Sequence, residues 1–233
     1  MEELRLTRRA SLARLGGFLA AALSAGGWRV QEAASERVGP AGVASGGVSC
    51  VLAPEQNEGP YYIADEKLRR NITEGKPGTP LTLELAVVDA STCRPIKGAV
   101  VDIWHADAFG VYSGFGQGSG NRTFLRGLQK TDAKGVATFR TVYPGWYRGR
   151  TVHIHVRVHL GGNVVHTGQL FFPETVTDVV YKKLPYRKRS GRDTRNAVDS
   201  VFRNGGNRLL LSLRRKKSAA GYVGTITMGV QRS

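Results

Sequence analysis

Three histidines, together with tyrosines and arginines, lie in the short segment from Tyr143 to Leu160. Apolar and polar residues alternate from Val152 to Leu160, which predicts a half-buried β-strand and places His153 and His155 on one face. Same-face side chains on a strand lie about 6.5–7 Å apart, so two imidazoles can converge on one ion at roughly 2.0–2.1 Å each. The pair is a candidate for half of a metal site. The solvent-facing side of an ordinary amphipathic strand is the alternative.

A turn precedes this predicted strand. The dipeptide Pro144-Gly145 favours a tight turn. That turn would bring Tyr147 and Arg150 beside the start of the strand. Tyr147 is therefore a candidate third ligand.

In combination, these residues resemble the intradiol ring-cleaving dioxygenases. The motif of that family has a ligand tyrosine, an arginine three residues before the first histidine, and a His-x-His pair. The segment from Trp104 to Tyr112, Trp-His-Ala-Asp-Ala-Phe-Gly-Val-Tyr, is similar to the family segment that carries a second ligand tyrosine. The resemblance implies a metal centre formed by Tyr112, Tyr147, His153 and His155, with Arg150 beside it.

The resemblance also implies roles for residues around the metal. Val165 to Phe172 is similar to a family strand with a glutamine near the metal, which implies a catalytic role for Gln169 alongside Arg150 and Tyr147. The Glu-Gly-Pro-Tyr segment ending at Tyr61 resembles a motif that lines the substrate pocket. It implies substrate contacts by Pro60 and Tyr61, and a packed N-terminal arm is the alternative.

Three further histidines have no ligand counterpart in the family. We expect them to pack or to form hydrogen bonds, with His166 the nearest to the residues around the metal. They are His105, His159 and His166.

The implied chemistry is oxidative cleavage of an aromatic diol. Phenolates with neutral imidazoles favour Fe(III). Because a free tyrosine has a pKa of about 10, only a strongly Lewis-acidic ion would hold both phenols deprotonated at neutral pH. The resemblance implies a non-haem Fe(III) enzyme that uses O2 to cleave a catechol-type ring between its hydroxylated carbons, giving a cis,cis-muconate-type diacid.

Charge balance predicts a displaceable tyrosine. Fe(III) with two tyrosinates and one hydroxide is formally neutral, and a catechol dianion that replaces hydroxide and one tyrosinate preserves that neutrality. The family mechanism assigns displacement to Tyr147, with His155 opposite it and with Tyr112 and His153 equatorial. We expect Arg150 to stabilise negative charge on the substrate. A salt bridge that holds the turn is the alternative role.

Short alternating segments separated by turns predict an all-β protein. Strands are predicted at residues 81–88, 98–104, 136–142, 152–160, 164–172, 209–214 and 221–230. We expect the first two to pair antiparallel and Gly161-Gly162-Asn163 to form a hairpin turn. Residues 105–130 should form a glycine-rich loop, and residues 173–203 short helical or irregular pieces. The fold expected is an immunoglobulin-like or transthyretin-like β-sandwich with long loops that carry the metal site.

The N-terminal region has the composition of an export signal. Arg8-Arg9 precede an apolar run from Leu15 to Ala25 that is too short to span a membrane. The arginine pair resembles a twin-arginine signal, and an ordinary secretory signal is the alternative. Residues 1–25 are thus a predicted signal, 26–49 a flexible tether and 50–233 the catalytic domain. We expect an exported protein, extracellular or periplasmic, with no membrane span once the signal is removed.

Cys50 and Cys93 are the only cysteines. An exported chain meets oxidising conditions that would pair them. Such a disulfide would stabilise the fold by roughly 3–4 kcal/mol in the chain-entropy model. Two separate buried thiols are the alternative.

The chain carries a formal net charge of +16. Basic residues cluster at Lys182–Arg192 and at Arg214–Lys217. Such clusters can hold nucleic acid, anionic polymers or acidic aromatic substrates. No nucleic-acid-binding motif accompanies them, so we expect a catechol-type substrate and O2 as partners and no specific nucleic acid. The oligomeric state stays open and includes a homo-oligomer.

Two other interpretations compete with the dioxygenase. Residues 92–103 and 131–139 resemble segments of transthyretin-like or adhesion modules, which bind partners without catalysis and need neither the histidines nor Tyr147. A zinc enzyme could use His153, His155 and His159 as ligands. Metal analysis distinguishes the three.

Overall fold

The computed structural model describes residues 50–64, 67–115, 119–217 and 219–232. Within these ranges eight strands form two four-stranded sheets. The strands are β1 Pro80–Asp89, β2 Val100–Trp104, β3 Arg126–Lys130, β4 Val136–Val142, β5 His153–Leu160, β6 Asn163–Phe171, β7 Ser212–Arg215 and β8 Tyr222–Val230. Short helices follow β6: α1 Glu174–Tyr181, α2 Ser200–Arg203, and 3-10 turns at Tyr186–Lys188, Asn196–Val198 and Gly206–Leu209. The predicted all-β sandwich is confirmed, and the finer immunoglobulin-like or transthyretin-like description stays a prediction.

The first sheet has the strand order β4-β1-β8-β7. Strand β1 lies inside it, antiparallel to β4, with Leu83 opposite Phe139, and parallel to β8, with Leu83 opposite Gly224. Alternate β1 residues Leu81, Leu83 and Leu85 are fully buried. The period of two in this sequence therefore reflects one face that packs into the core.

The second sheet, with the order β3-β2-β5-β6, is antiparallel throughout. The β5–β6 hairpin closes through Gly161 and Gly162, whose φ angles of 57° and 91° suit a tight two-residue turn. This predicted hairpin is confirmed. Across the sheet, His155 pairs with Trp104 on one side and with Gln169 on the other. The three side chains therefore lie in one row.

The expected antiparallel pairing of the first two strands is wrong. Strands β1 and β2 lie in opposite sheets, and only an isolated bridge joins Val88 to Pro95. The N–H of Ile96 donates to the carbonyl of Val87, and the Ile96 side chain is buried in the core. The connection therefore crosses from one sheet to the other, with Ile96 packed in the core between them, instead of forming a hairpin.

The predicted loop at residues 105–130 ends in a strand that the sequence pattern does not reveal. Strand β3 reads Arg-Gly-Leu-Gln-Lys, without apolar alternation, and it pairs antiparallel with β2 from Val100 opposite Lys130 to Trp104 opposite Arg126. Backbone pairing to a neighbouring strand decides its conformation. The closing strand predicted from residue 209 also starts later, at Ser212, because buried Leu209 belongs to a 3-10 turn that packs against β6.

The predicted disulfide between Cys50 and Cys93 is confirmed, with 5.3 Å between the Cα atoms. It joins the N-terminal arm, residues 50–64, to the connection between β1 and β2. The predicted signal at 1–25 and tether at 26–49 lie outside the described residues. Within the described ranges, none of the helices has the length and apolar composition of a membrane span.

Replacing Cys93 with serine should lower the free energy of unfolding by roughly 3–4 kcal/mol, because the bond closes a loop of 43 residues in the unfolded chain. Denaturant unfolding of wild type and variant measures this difference. Thiol titration of the denatured, unreduced wild type should find no free thiol. Two free thiols would contradict the disulfide.

Candidate metal centre

Two buried imidazoles of β5 face each other. The side chains of His153 and His155 are only 2% and 1% exposed, so the alternative of a solvent-facing histidine pair is wrong. Their Nε2 atoms are 3.2 Å apart, and the Tyr147 hydroxyl lies 3.0 Å from the Nε2 of His153. Strand β5 sets the spacing of the two histidines, and the turn before it places Tyr147 beside them.

The tautomer of His153 follows from its backbone contact. Its Nδ1 lies 2.6 Å from the carbonyl oxygen of Thr151, which can only accept, so Nδ1 carries the proton and Nε2 presents a lone pair. Burial, and next the charge of Arg150, lowers the pKa of His153 to about 3. The ring is neutral at physiological pH, as a metal ligand must be.

Packing fixes the ring of His155. The Trp104 indole stacks on it, with 4.9 Å between centroids and 5° between planes. Gly59 of the N-terminal arm lies so close that a Cβ there would be 3.0 Å from Cε1 of His155, and its φ of +73° suits glycine. Burial, followed by the neighbouring His153, lowers the pKa of His155 well below its ordinary value.

The loop after β2 brings Tyr112 to the same place. Its ring centroid is 5.7 Å from that of Tyr147 and 6.0 Å from that of His155. Its buried hydroxyl has no hydrogen-bond partner. Asp107 holds the loop by accepting the N–H groups of Phe109 and Val111. The loop, the turn and the strand therefore assemble one cluster of two phenols and two imidazoles.

The donor set of this cluster fits a metal ion. Burial, and next the interaction with Tyr147, raises the pKa of Tyr112 well above its ordinary value. Burial likewise raises the pKa of Tyr147. A buried hydroxyl with unmade hydrogen bonds is unfavourable by about 1–3 kcal/mol, and coordination would remove that penalty.

The three-histidine interpretation lacks support in the described residues. Within them no group of three His, Cys, Asp or Glu side chains lies close enough to hold a metal ion. His159 lies beyond an irregularity in the β5–β6 pairing, between Val158 and His159, and is only partly buried.

Arg150 lies in a hydrogen-bonded chain beside the cluster. Its Nε donates to Asp199 at 2.9 Å, and its Nη2 donates to the Oε1 of Gln169. Gln169 is fully buried, and its amide nitrogen donates to the Asn57 side chain at 2.9 Å. The salt bridge foreseen as an alternative for Arg150 therefore exists. It fixes the guanidinium, whose charge contributes to lowering the pKa of both His153 and His155.

The arm covers the cluster with an aromatic ring. Tyr61 stacks on Tyr112, with 4.3 Å between centroids and 18° between planes, and meets Tyr147 edge-on at 6.1 Å. Pro60 is exposed beside it. The arm is held on β6 because Gln56 accepts the backbone N–H of Gln169.

The remaining histidines form hydrogen bonds or pack away from the cluster. His105 Nε2 lies 2.7 Å from the Thr141 hydroxyl, and burial lowers the pKa of His105 to about 4. His166 Nδ1 lies 2.8 Å from a carboxylate oxygen of Glu55 in the arm. His166 thus holds the arm against β6, the strand that also carries Gln169.

Sequence reasoning missed Asp199 and Trp104 as supports of the site. Asp199 is 1% exposed, accepts Arg150 and the Thr151 N–H, and caps α2 by accepting the N–H groups of Val201 and Phe202. An aspartate before a short helix is a recognisable N-cap signal. Nothing in the sequence signals that this cap also anchors Arg150. The stacking of Trp104 follows only from cross-strand register.

The chain is similar in sequence to known dioxygenases. A family model described as Dioxygenase matches residues 57–166. The chain is 36% identical over 100 residues to catechol 1,2-dioxygenase 1 of Acinetobacter lwoffii, covering 40% of this chain and 32% of that protein. It is 26% identical over 143 residues to chlorocatechol 1,2-dioxygenase of Rhodococcus opacus, covering 53% and 55%. The chain thus spans between a third and about half of these curated relatives.

Solved structures match over more of the chain. An intradiol ring-cleavage dioxygenase from Tetranychus urticae is 39% identical, with 78% of this chain and 95% of that chain covered and a TM-score of 0.74. The dioxygenase domain of a dioxygenase carbohydrate-binding protein fusion from Streptomyces sp. SirexAA-E is 34% identical, with 78% and 100% covered and a TM-score of 0.61.

The Asp199 anchor gives a pH-dependent prediction. Burial raises its pKa, but hydrogen bonds from Arg150, Phe202 and Thr151 outweigh this, and the net pKa is lowered. The stabilisation is therefore complete above the unfolded value of about 3.9 and is lost as the pH falls through the folded pKa. Asp199→Asn should lower the free energy of unfolding by about 3 kcal/mol at pH 7 and by less at pH 3. Exposed Asp193→Asn is the control, and equal effects of the two variants would contradict the anchor.

Proposed function

This chain belongs to the intradiol ring-cleavage dioxygenase family, and we propose that it cleaves catechol-type diols with O2 between the two hydroxylated carbons. The expected product is a cis,cis-muconate-type diacid. The observation that carries the proposal is the convergence of two phenols and two neutral imidazoles from a loop, a turn and a strand. These are Tyr112, Tyr147, His153 and His155.

The proposed cofactor is non-haem Fe(III). Burial makes the two phenols harder to ionise, so a strongly Lewis-acidic ion is needed to hold them as phenolates, and Zn(II) does this less readily. When bound, Fe(III) would withdraw electron density from a chelated catechol and make the ring reactive toward O2.

Tyr147 is the proposed displaceable ligand. It is partly buried, whereas Tyr112 is 4% exposed and lies under the ring of Tyr61. A neutral catechol would lose two protons on becoming the bound dianion. The Tyr147 phenolate oxygen would take one of them as Tyr147 is displaced, and the displaced hydroxide would take the other. Tyr112 then stays in place. The difference in burial supports the same assignment as charge balance.

Arg150 and Gln169 are proposed to stabilise the charge that develops on the substrate. The guanidinium is fixed between Asp199 and Gln169, so it needs little reorganisation when negative charge forms beside it. Gln169 is itself held by Asn57. Tyr61 and Pro60 are proposed substrate contacts, because they border the cluster from the arm.

Export is part of the proposal. The predicted twin-arginine signal at residues 1–25 would carry a folded, metal-loaded protein across the membrane. The disulfide between Cys50 and Cys93 supports a destination outside the reducing cytosol. A non-catalytic binding module is less favoured because such a module has no use for four buried donor side chains that face one another.

The purified protein, reconstituted with iron, should be coloured by tyrosinate-to-iron charge transfer, and catechol added without oxygen should shift the band. With labelled O2, mass spectrometry should find both oxygen atoms in the muconate product. His153→Ala should abolish iron binding, and His159→Ala should retain it. A colourless protein that takes up no iron would refute the iron proposal and favour the binding module.

Arg150→Gln should reduce kcat by about 10²–10³-fold, the effect typical of losing one preorganised donor to developing charge. Iron content should stay at the wild-type level. The control is Arg148→Gln, because Arg148 is exposed and two residues away. If both variants have the same kcat, Arg150 has no role in stabilising the substrate's charge.

A further inference from the structure

A buried arginine at the start of β3 contacts two separate segments of the site. Arg126 is 1% exposed. Its Nη1 donates to the carbonyl of Tyr61 at 2.6 Å. Its Nε and Nη2 donate to the hydroxyl and the carbonyl of Ser113, each at 2.8 Å. One guanidinium therefore holds the backbone of the N-terminal arm and the backbone of the loop after β2.

These two contact points lie beside the rings that stack at the cluster. Tyr61 belongs to the arm, and Ser113 directly follows Tyr112 in the loop. The rings of Tyr61 and Tyr112 are stacked with 4.3 Å between centroids. Arg126 therefore links the two backbone segments that carry these rings.

We propose that Arg126 is a positioning residue that sets Tyr112 and Tyr61 relative to each other, an inference that rests on the proposed function for the roles of these tyrosines. Tyr112 is the proposed retained ligand, and Tyr61 is a proposed substrate contact. Arg126 thus couples the position of a proposed metal ligand to the position of a proposed substrate contact.

The local backbone is arranged to bury this arginine. Leu125 has a φ of +60°, a left-handed conformation that is unfavourable for leucine by about 1–3 kcal/mol. Both Leu125 and Arg126 are buried at 0% and 1% exposure, whereas neighbours in a regular strand point to opposite faces. The Leu125 side chain packs with Phe124 and Val142, whereas the Arg126 guanidinium reaches Ser113 and Tyr61. Backbone strain at this position accompanies the burial of a multiply bonded guanidinium.

Arginine is suited to this task for a geometric reason. Its planar fork presents several N–H donors in fixed directions, whereas a lysine ammonium is a compact charge on a flexible stem. The Ser113 hydroxyl accepts from Arg126 and donates to the carbonyl of Phe124 at 2.7 Å. Through Ser113, these hydrogen bonds also connect the part of the loop next to Tyr112 with its end at Phe124.

A second arginine provides a matched control. Arg69 donates to the backbone carbonyls of Thr123 and Arg126, at 2.6 Å and 2.8 Å from Nη2. It therefore also ties down this loop through carbonyl oxygens. It bonds neither Tyr61 nor Ser113. Besides Glu74, its partners are backbone carbonyls where the loop enters β3, including that of Arg126 itself.

The test compares Arg126→Met, Arg126→Lys, Ser113→Ala and Arg69→Met with wild type. In the metal-free protein, hydrogen exchange should quicken at residues 59–63 and 111–115 in Arg126→Met and not in Arg69→Met. In the iron-loaded protein, Arg126→Met should shift the charge-transfer band and lower kcat/KM by about 100-fold, the scale of a misplacement near 1 Å. Arg126→Lys should restore part of the rate, and Ser113→Ala should shift the band in the same direction by less.

Equal effects of Arg126→Met and Arg69→Met on exchange, band and kcat/KM would overturn the inference, because both would then act only through general stability. If Arg126→Met does not fold, Arg126→Lys and Ser113→Ala decide by the same comparison. If wild type binds no iron, the proposed function fails, and hydrogen exchange in the metal-free protein still decides whether Arg126 couples the two segments.

Discussion

The close burial of two imidazoles and two phenols is the constraint on which this structure depends. The Nε2 atoms of His153 and His155 face each other at 3.2 Å, the Tyr147 hydroxyl lies 3.0 Å from the Nε2 of His153, and the buried Tyr112 hydroxyl has no hydrogen-bond partner. In a protein interior such groups are unfavourable unless another group satisfies them. A bound cation would satisfy all of them together. The surrounding protein must therefore hold them in place at a cost to its stability when the metal is absent.

That support comes from each neighbouring element. Strand β5 is buried on both faces: Ile154, Val156 and Val158 enter the core between the sheets, and the two histidines lie under the arm and the loop. Asp199 fixes the backbone before the first histidine, and Trp104 stacks on the second. The cluster thus rests on a rigid sheet, with its covering segments held by hydrogen bonds.

The N-terminal arm connects the disulfide to the chemistry. It starts at Cys50, which is bonded to Cys93, and then pairs with β6 through Glu55 and Gln56. It ends with Gly59 against a proposed ligand and Tyr61 over another. The arm belongs to neither four-stranded sheet, and it is held by these side-chain contacts together with backbone hydrogen bonds from Ala53 to Gly229 and from Gln56 to Thr167. This explains why a segment outside the sandwich can shape the site.

The sequence by itself determined the alternating strands, the His-x-His spacing, the hairpin at Gly161-Gly162 and the family resemblance, because all of these are local patterns. It did not reveal β3, the crossing between β1 and β2, or the anchoring of Arg150 by Asp199. Only the tertiary structure decided these, since strand partners and buried hydrogen bonds join residues far apart in the chain. The position of Tyr112 beside the histidines also depends on the tertiary structure. The sequence motif identified Tyr112 as a candidate ligand, but the packing of its loop on the sheet sets its distance from the histidines.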